Sequence, residues 1–297
     1  MIKGVAVCDE SDFDRMMEYS RQRQLSRREF GAMSIASALV AVAPTIANAQ
    51  ELRASEVDIP TPDGTCDAYF VHPKRGKWPS VLVWPDIMGL RPAFKQMADR
   101  LASEGYAVLV VNPFYRIRRA PTSPPHPDLE DPSVRKEVMS MAAGLTAETA
   151  VADARALVSW LDKNDSVDRD RKMASAGYCF GGPYTIRTAA IFPDRVGAIA
   201  SFHGAPMVTD KPDSAHLLIA KIRVRALIAI AESDDKAQPE VKTALRDAFD
   251  RAHLPAEIEV YKGTLHGWCP LDSRGYDHDQ AEKAWARQIV VFKQGLL

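Results

Sequence analysis

The chain has 297 residues, 46% of them hydrophobic and 26% charged, with a formal net charge of −1. That is apolar surface for one sizeable domain, or at most two. The near-neutral balance, without a Lys/Arg-rich block, excludes a nucleic-acid surface and leaves a small molecule as the expected partner.

Four cysteines, Cys8, Cys66, Cys179 and Cys269, stand far apart. They lack the short paired spacings of a zinc site and the density of a disulfide framework, so neither a metal nor an organic cofactor is expected.

The N-terminal segment carries Ser26-Arg27-Arg28-Glu29-Phe30, a mildly apolar run from Gly31 to Ala47, and then the small-x-small triplet Ala47-Asn48-Ala49. This pattern resembles a bacterial twin-arginine export signal. It divides the chain into a signal over 1–49 and a single domain over 50–297. The expected partner in transit is the twin-arginine translocation machinery, and the expected destination is periplasmic or otherwise exported, with the cytoplasm as the alternative. The apolar run is too short, too rich in Ala, Ser and Thr, and too disturbed by Pro44 for a stable membrane span. Acidic residues (Asp9, Glu10, Asp12, Asp14, Glu18) precede the arginines where signals are normally basic, which makes Met16 and Met17 alternative starts.

In chain order, Val57–Ile59 and Cys66–Val71 flank Pro62-Asp63-Gly64 and predict an antiparallel hairpin at a sheet edge. Ser80–Trp84 and Ala107–Val111 are continuous apolar runs of the kind a parallel sheet buries on both faces. Between them Phe94, Met97, Ala98 and Leu101 keep helical spacing until Gly105, giving a βαβ unit. From Asn112 to Pro132 six prolines forbid regular structure, and such a loop leaving a strand commonly overhangs a site. Asp131-Pro132 then starts a helical region in which Leu145, Val151, Ala154, Leu157, Val158 and Leu161 share a face. Strands follow at Lys172–Ala176, Arg195–Phe202, Val224–Ile230 and Ala256–Tyr261, with helices at Tyr184–Ala190 and roughly Asp279–Phe292. The predicted architecture is α/β: a mostly parallel central sheet with an antiparallel edge hairpin and helices on both faces.

The chemistry centres on Gly177-Tyr178-Cys179-Phe180-Gly181-Gly182, between a predicted strand and a predicted helix. A glycine-flanked turn there holds the thiol exposed at a helix N-terminus, where dipole and free N–H groups favour thiolate and can stabilise an oxyanion. Alone, the motif fits equally a buried cysteine beside a glycine-rich turn. A cysteine nucleophile needs a base and an acid to orient that base. Asp234, in Ala231-Glu232-Ser233-Asp234-Asp235, and His266, in Gly263-Thr264-Leu265-His266-Gly267-Trp268, each follow a predicted core strand. Glu232 and Asp235 are alternative acids. Nucleophile, acid, histidine is the chain order of α/β-hydrolases, and it selects His266 over His203, which lies on the rim of the same pocket.

These residues resemble the dienelactone hydrolases (carboxymethylenebutenolidases), an α/β-hydrolase family, over nearly all of Glu51–Leu297. The carriers are the cysteine elbow, Ala-Glu-Ser-Asp at 231–234, Leu-His-Gly-Trp at 265–268 and Trp84-Pro85-Asp86-Ile87-Met88-Gly89-Leu90. The resemblance implies a Cys179–His266–Asp234 triad that cleaves a lactone or ester through a thioester, with oxyanion donors at the Ile87 and Phe180 N–H groups. It places Asp86 where the family has a glutamate facing the resting thiol; an orienting or merely structural carboxylate is the alternative. It also puts Tyr115 and Arg116 (or Arg118) near a substrate carboxylate, the alternative being a solvated basic loop. His203, after another core strand, points toward the same rim, and Trp268 is a further candidate for substrate binding. A broad-specificity exported esterase or thioesterase, and a non-catalytic binding protein on the same fold, are the competing readings. Cys66 and Cys269 could pair only if their backbones come within roughly 4–7 Å.

Overall fold

The computed structural model describes residues 51–123, 129 and 131–297. The twin-arginine-type segment and its cleavage site lie outside them. Among the described residues eight strands form one sheet, in the order β1-β2-β4-β3-β5-β6-β7-β8. Strands β1 (Leu52–Thr61) and β2 (Gly64–Pro73) make the edge hairpin, and β2 runs antiparallel to β4. The other neighbours are parallel: β3 (Ser80–Trp84), β4 (Ala107–Val111), β5 (Met173–Tyr178), β6 (Val196–Phe202), β7 (Arg225–Ala231) and β8 (Ala256–Tyr261).

Side-chain alternation feeds two cores. Leu82, Trp84, Leu109 and Val111 face one apolar cluster; Val81, Val83, Val108 and Val110 face the other. Helix α1 (Pro92–Ser103) and the C-terminal helix close the second face. On the first face lie α2 (Pro132–Ala142), α3 (Ala147–Asp162), α4 (Gly182–Ile191), the short α5 (Glu232–Ala237) and α6 (Pro239–Arg251). Helix α7 is His278–Gly295. Cys66 and Cys269 are both free and buried, one in each cluster, with the sheet between them, so they do not pair.

Three differences from the sequence reading have physical causes. The hairpin is longer than predicted because most of β1 is exposed: Val57 and Ile59 face one core, and Leu52, at its start, packs against the other. The helical region after Pro132 is two helices, and Leu145 falls between them. The second begins at a Thr146/Thr149 capping box that satisfies its first amides. The α5–α6 pair has no periodic signal in the sequence: Ala237 is the one apolar residue of α5, and α6 buries only Leu245, Ala248 and Phe249. Among the described residues no helix is long and apolar enough to cross a membrane.

Because β3, β5, β6, β7 and β8 are parallel, the loops after them open on one end of the sheet. There α/β folds assemble their sites.

Candidate active site

Cys179 follows β5, with a φ of 49°, and opens a 3-10 turn (Cys179–Gly181) that runs into α4. A left-handed backbone at a non-glycine residue costs about 1–3 kcal/mol and persists only where the surroundings enforce it. Here glycines do the enforcing. A Cβ on Gly177 would overlap the Gly181 carbonyl, and one on Gly181 would overlap the carbonyls of Trp84 and Pro85. The turn therefore packs backbone to backbone against the end of β3, and the thiol is held at 8% exposure.

The loops after β7 and β8 bring two further groups to the thiol. His266 Nε2 lies 3.0 Å from Cys179 Sγ, and His266 Nδ1 lies 2.9 Å from Asp234 Oδ2. Of the three candidate acids, Asp234 alone makes this contact. Glu232 accepts the Gly263 N–H and pairs with Lys236, while Asp235 pairs with Lys242. Burial opposes protonation of His266, but the charges of Asp234 and Cys179 and hydrogen bonds to both outweigh it and hold the imidazole well above its ordinary pKa.

Ser233, missed in the sequence reading, locks this arrangement. Its buried hydroxyl accepts the His266 N–H at 2.9 Å and donates to Asp234 Oδ1 at 3.2 Å. One side chain thus fixes the backbone of the base and the second oxygen of the acid. Only its adjacency to Asp234 could have signalled it.

The loop after β3 contributes Asp86 and Ile87. Asp86 does not face the thiol: both its oxygens take hydrogen bonds from Arg91, at 2.6 and 2.9 Å, and Oδ1 also accepts the Met88 N–H. The reading of Asp86 as a partner of the resting thiol is corrected in favour of a structural carboxylate. The Gly89 N–H donates to the Asp86 carbonyl; among the described residues no acceptor takes the Ile87 N–H. Phe180, immediately after the cysteine, is buried in the elbow turn.

Five other expected contacts are corrected. Tyr115 shares its hydroxyl with Thr61 and Asp153, and Arg116 pairs with Asp63 and Asp153. Asp153 sits buried in the apolar face of α3 and needs these partners, so Arg116 is already neutralised by two carboxylates. Arg118 pairs with Glu137. Trp268 is a core residue, fully buried and stacked on Tyr261 at 4.6 Å. His203 lies behind the base rather than at an open rim: it is 1% exposed and meets the His266 ring edge-to-face at 5.0 Å. Neither of its ring nitrogens has a partner among the described residues. Burial first, and the neighbouring His266 second, push its pKa well below the ordinary value, so it stays neutral.

Among the described residues no group of three or more His, Cys, Asp or Glu side chains converges as a metal site. The arrangement offers a thiol, an imidazole at hydrogen-bond distance, a carboxylate behind it and an unclaimed backbone N–H: the parts of an acyl-transfer site.

Residues 66–296 match the family model described as Dienelactone hydrolase family. A curated protein of Salmonella typhi named "Putative carboxymethylenebutenolidase" is 26% identical over 263 residues, covering 85% of this chain and 92% of that protein. The solved structure of a "Putative Dienelactone Hydrolase" from Klebsiella pneumoniae superposes with a TM-score of 0.70 at 24% identity, covering 82% of this chain and 99% of the other. A dienelactone hydrolase-like promiscuous phosphotriesterase from metagenomic libraries superposes with a TM-score of 0.65 at 23% identity, covering 83% and 99%. At these identities the structural likenesses speak for the fold.

Proposed function

This chain belongs to the dienelactone hydrolase family and is a hydrolase; from that premise we propose that it cleaves a lactone or carboxylic ester with Cys179 as nucleophile, His266 as base and Asp234 as its orienting acid. The observation that carries this reading is the unbroken line from Asp234 Oδ2 through the imidazole to Cys179 Sγ, at 2.9 and 3.0 Å.

His266 holds the thiol proton while the thiolate attacks the acyl carbon. The carbonyl π pair moves onto oxygen, facing the N–H groups of Ile87 and Phe180, which stabilise the charge as it develops. Collapse breaks the bond to the leaving oxygen, which takes the proton from His266 Nε2, and leaves a thioester on Cys179. In a lactone this is ring opening. Water then gives a proton to His266 and attacks the thioester, and Cys179 departs as thiolate. Throughout, the Asp234 carboxylate offsets the imidazolium charge.

Replacing the nucleophile tests the reading. Cys179→Ala abolishes turnover of a p-nitrophenyl ester and leaves the circular-dichroism spectrum unchanged; full activity in that variant refutes it.

Within this class the engagement of Arg116 and Arg118 with carboxylates of the protein favours substrates that carry no free carboxylate. A broad-specificity esterase or thioesterase fits that better than a dienelactone specialist. Rates on cis- and trans-dienelactones against simple aryl esters and thioesters decide between them. The proposal includes export, supported by Arg27-Arg28 and Ala47-Asn48-Ala49; cell fractionation tests it.

A further inference from the structure

We propose that Arg91 is a positioning residue that fastens the loop carrying the Ile87 N–H to the loop carrying His266, setting where the oxyanion donor stands relative to the thiol and its base, whose own pairing Asp234 and Ser233 hold. The inference rests on the acyl-transfer reading above.

All five guanidinium N–H donors can be accounted for. Nη1 donates to Asp86 Oδ1 (2.6 Å) and the Gly89 carbonyl (3.2 Å), and Nη2 to Asp86 Oδ2 (2.9 Å). From the other side, Nε donates to Asp272 Oδ2 (2.7 Å) and Nη2 to Asp272 Oδ1 (2.9 Å). A fork that holds two carboxylates bidentately fixes both in plane and distance, which a lysine cannot do. The Arg91 side chain is 7% exposed, and those of Asp86 and Asp272 are 12% and 21% exposed. Burial works against its charge, but the two carboxylates more than compensate and keep the guanidinium protonated.

The two carboxylates belong to the two loops that matter. Asp272 lies in the segment between β8 and α7, which begins with the His266 loop. Asp86 is the residue whose carbonyl shares a rigid peptide plane with the Ile87 N–H. That carbonyl accepts the Gly89 N–H at 2.9 Å, so the Ile87 N–H must point the opposite way. The Asp86 side chain meanwhile holds the next amide, that of Met88. Arg91 therefore grips the peptide plane that aims the donor and ties it to the loop that aims the imidazole.

Two reactions of the same thiol separate this role from mere stability. Acylation by p-nitrophenyl acetate passes through an oxyanion; alkylation by iodoacetamide forms an S–C bond, expels iodide and forms none. For Asp272→Asn, which leaves the Arg91–Asp86 pair intact, acylation should slow by about 10- to 100-fold while alkylation stays within roughly twofold of wild type. Arg91→Lys should show the same split. Asp162→Asn, which breaks the Arg195–Asp162 ion pair away from the site, should leave the ratio of the two rates unchanged. Equal slowing of both reactions in Asp272→Asn, or wild-type acylation, overturns the proposal. A wild-type protein that is alkylated at Cys179 but never acylated refutes the acyl-transfer reading, and the clamp falls with it.

Discussion

His203→Phe should flatten the acid side of the stability profile. In the folded protein His203 is buried, unpartnered and held neutral, with its pKa well below the ordinary value of about 6.5 that it regains on unfolding. Below pH ~6.5 the unfolded chain therefore binds a proton that the native state refuses, and stability falls as pH falls. One such proton gives a slope approaching about 1.4 kcal/mol per pH unit at the acid end, on the order of 1–1.5 kcal/mol between pH 6.5 and 5. Against a typical total of about 5–15 kcal/mol that is readily measured. His266 has the opposite shift and does not contribute in this window, because below pH ~6.5 it is protonated in both states. His216 is also depressed, but it is common to both proteins, so the comparison removes it. Phenylalanine keeps an aromatic ring against His266, and any cost at the left-handed φ of 40° is independent of pH. The assay is urea unfolding of both proteins at half-unit steps from pH 7.5 to 4.5. Parallel profiles would falsify the reasoning.

The remaining predictions concern the site directly. Asp234→Asn should cut kcat/KM by about 100-fold or more and move the alkaline limb of the pH profile downward, since the carboxylate is what holds the His266 proton. Stability stored in that proton is complete below the unfolded pKa of about 6.5 and is lost as pH rises through the raised folded value, so above pH ~6.5 the variant should lose less stability than wild type. An unchanged alkaline limb counts against Asp234 as the partner. Ser233→Ala leaves the His266 N–H without its acceptor and should cost about 1–3 kcal/mol; kcat should fall with KM nearly constant, and a pure KM effect would contradict the positioning role. Gly181→Ala forces a methyl group onto two carbonyls and should destabilise by about 3 kcal/mol or abolish activity outright; a wild-type melting curve with full turnover would show that the turn is not packed as described.

What could be read from sequence was what is local. Continuous apolar runs gave β3 and β4, the glycines of 177–182 marked the elbow, and the order Cys179, Asp234, His266 followed from which loops trail core strands. What could not be read was pairing at a distance. Arg91 and Asp272 are 181 residues apart in sequence, and nothing in either neighbourhood announces the other. Asp153 carries no signal because it stands among the apolar positions of its own helix, and its demand for counter-charge is what engages Arg116. Trp268 is two residues from His266 in sequence but not at the pocket. Gly267, at a φ of 81°, turns the chain between them and sends the indole into the core.

The contacts of Gly177 and Gly181 also bear on how this site could change in descent. They are almost wholly with backbone, and so are indifferent to the atom at the tip of residue 179. A hydroxyl there would meet the same turn, the same helix start and the same imidazole, while at 177 and 181 no side chain fits. The two glycines beside residue 179 are therefore fixed by the backbone they pack against, whichever atom stands at its tip.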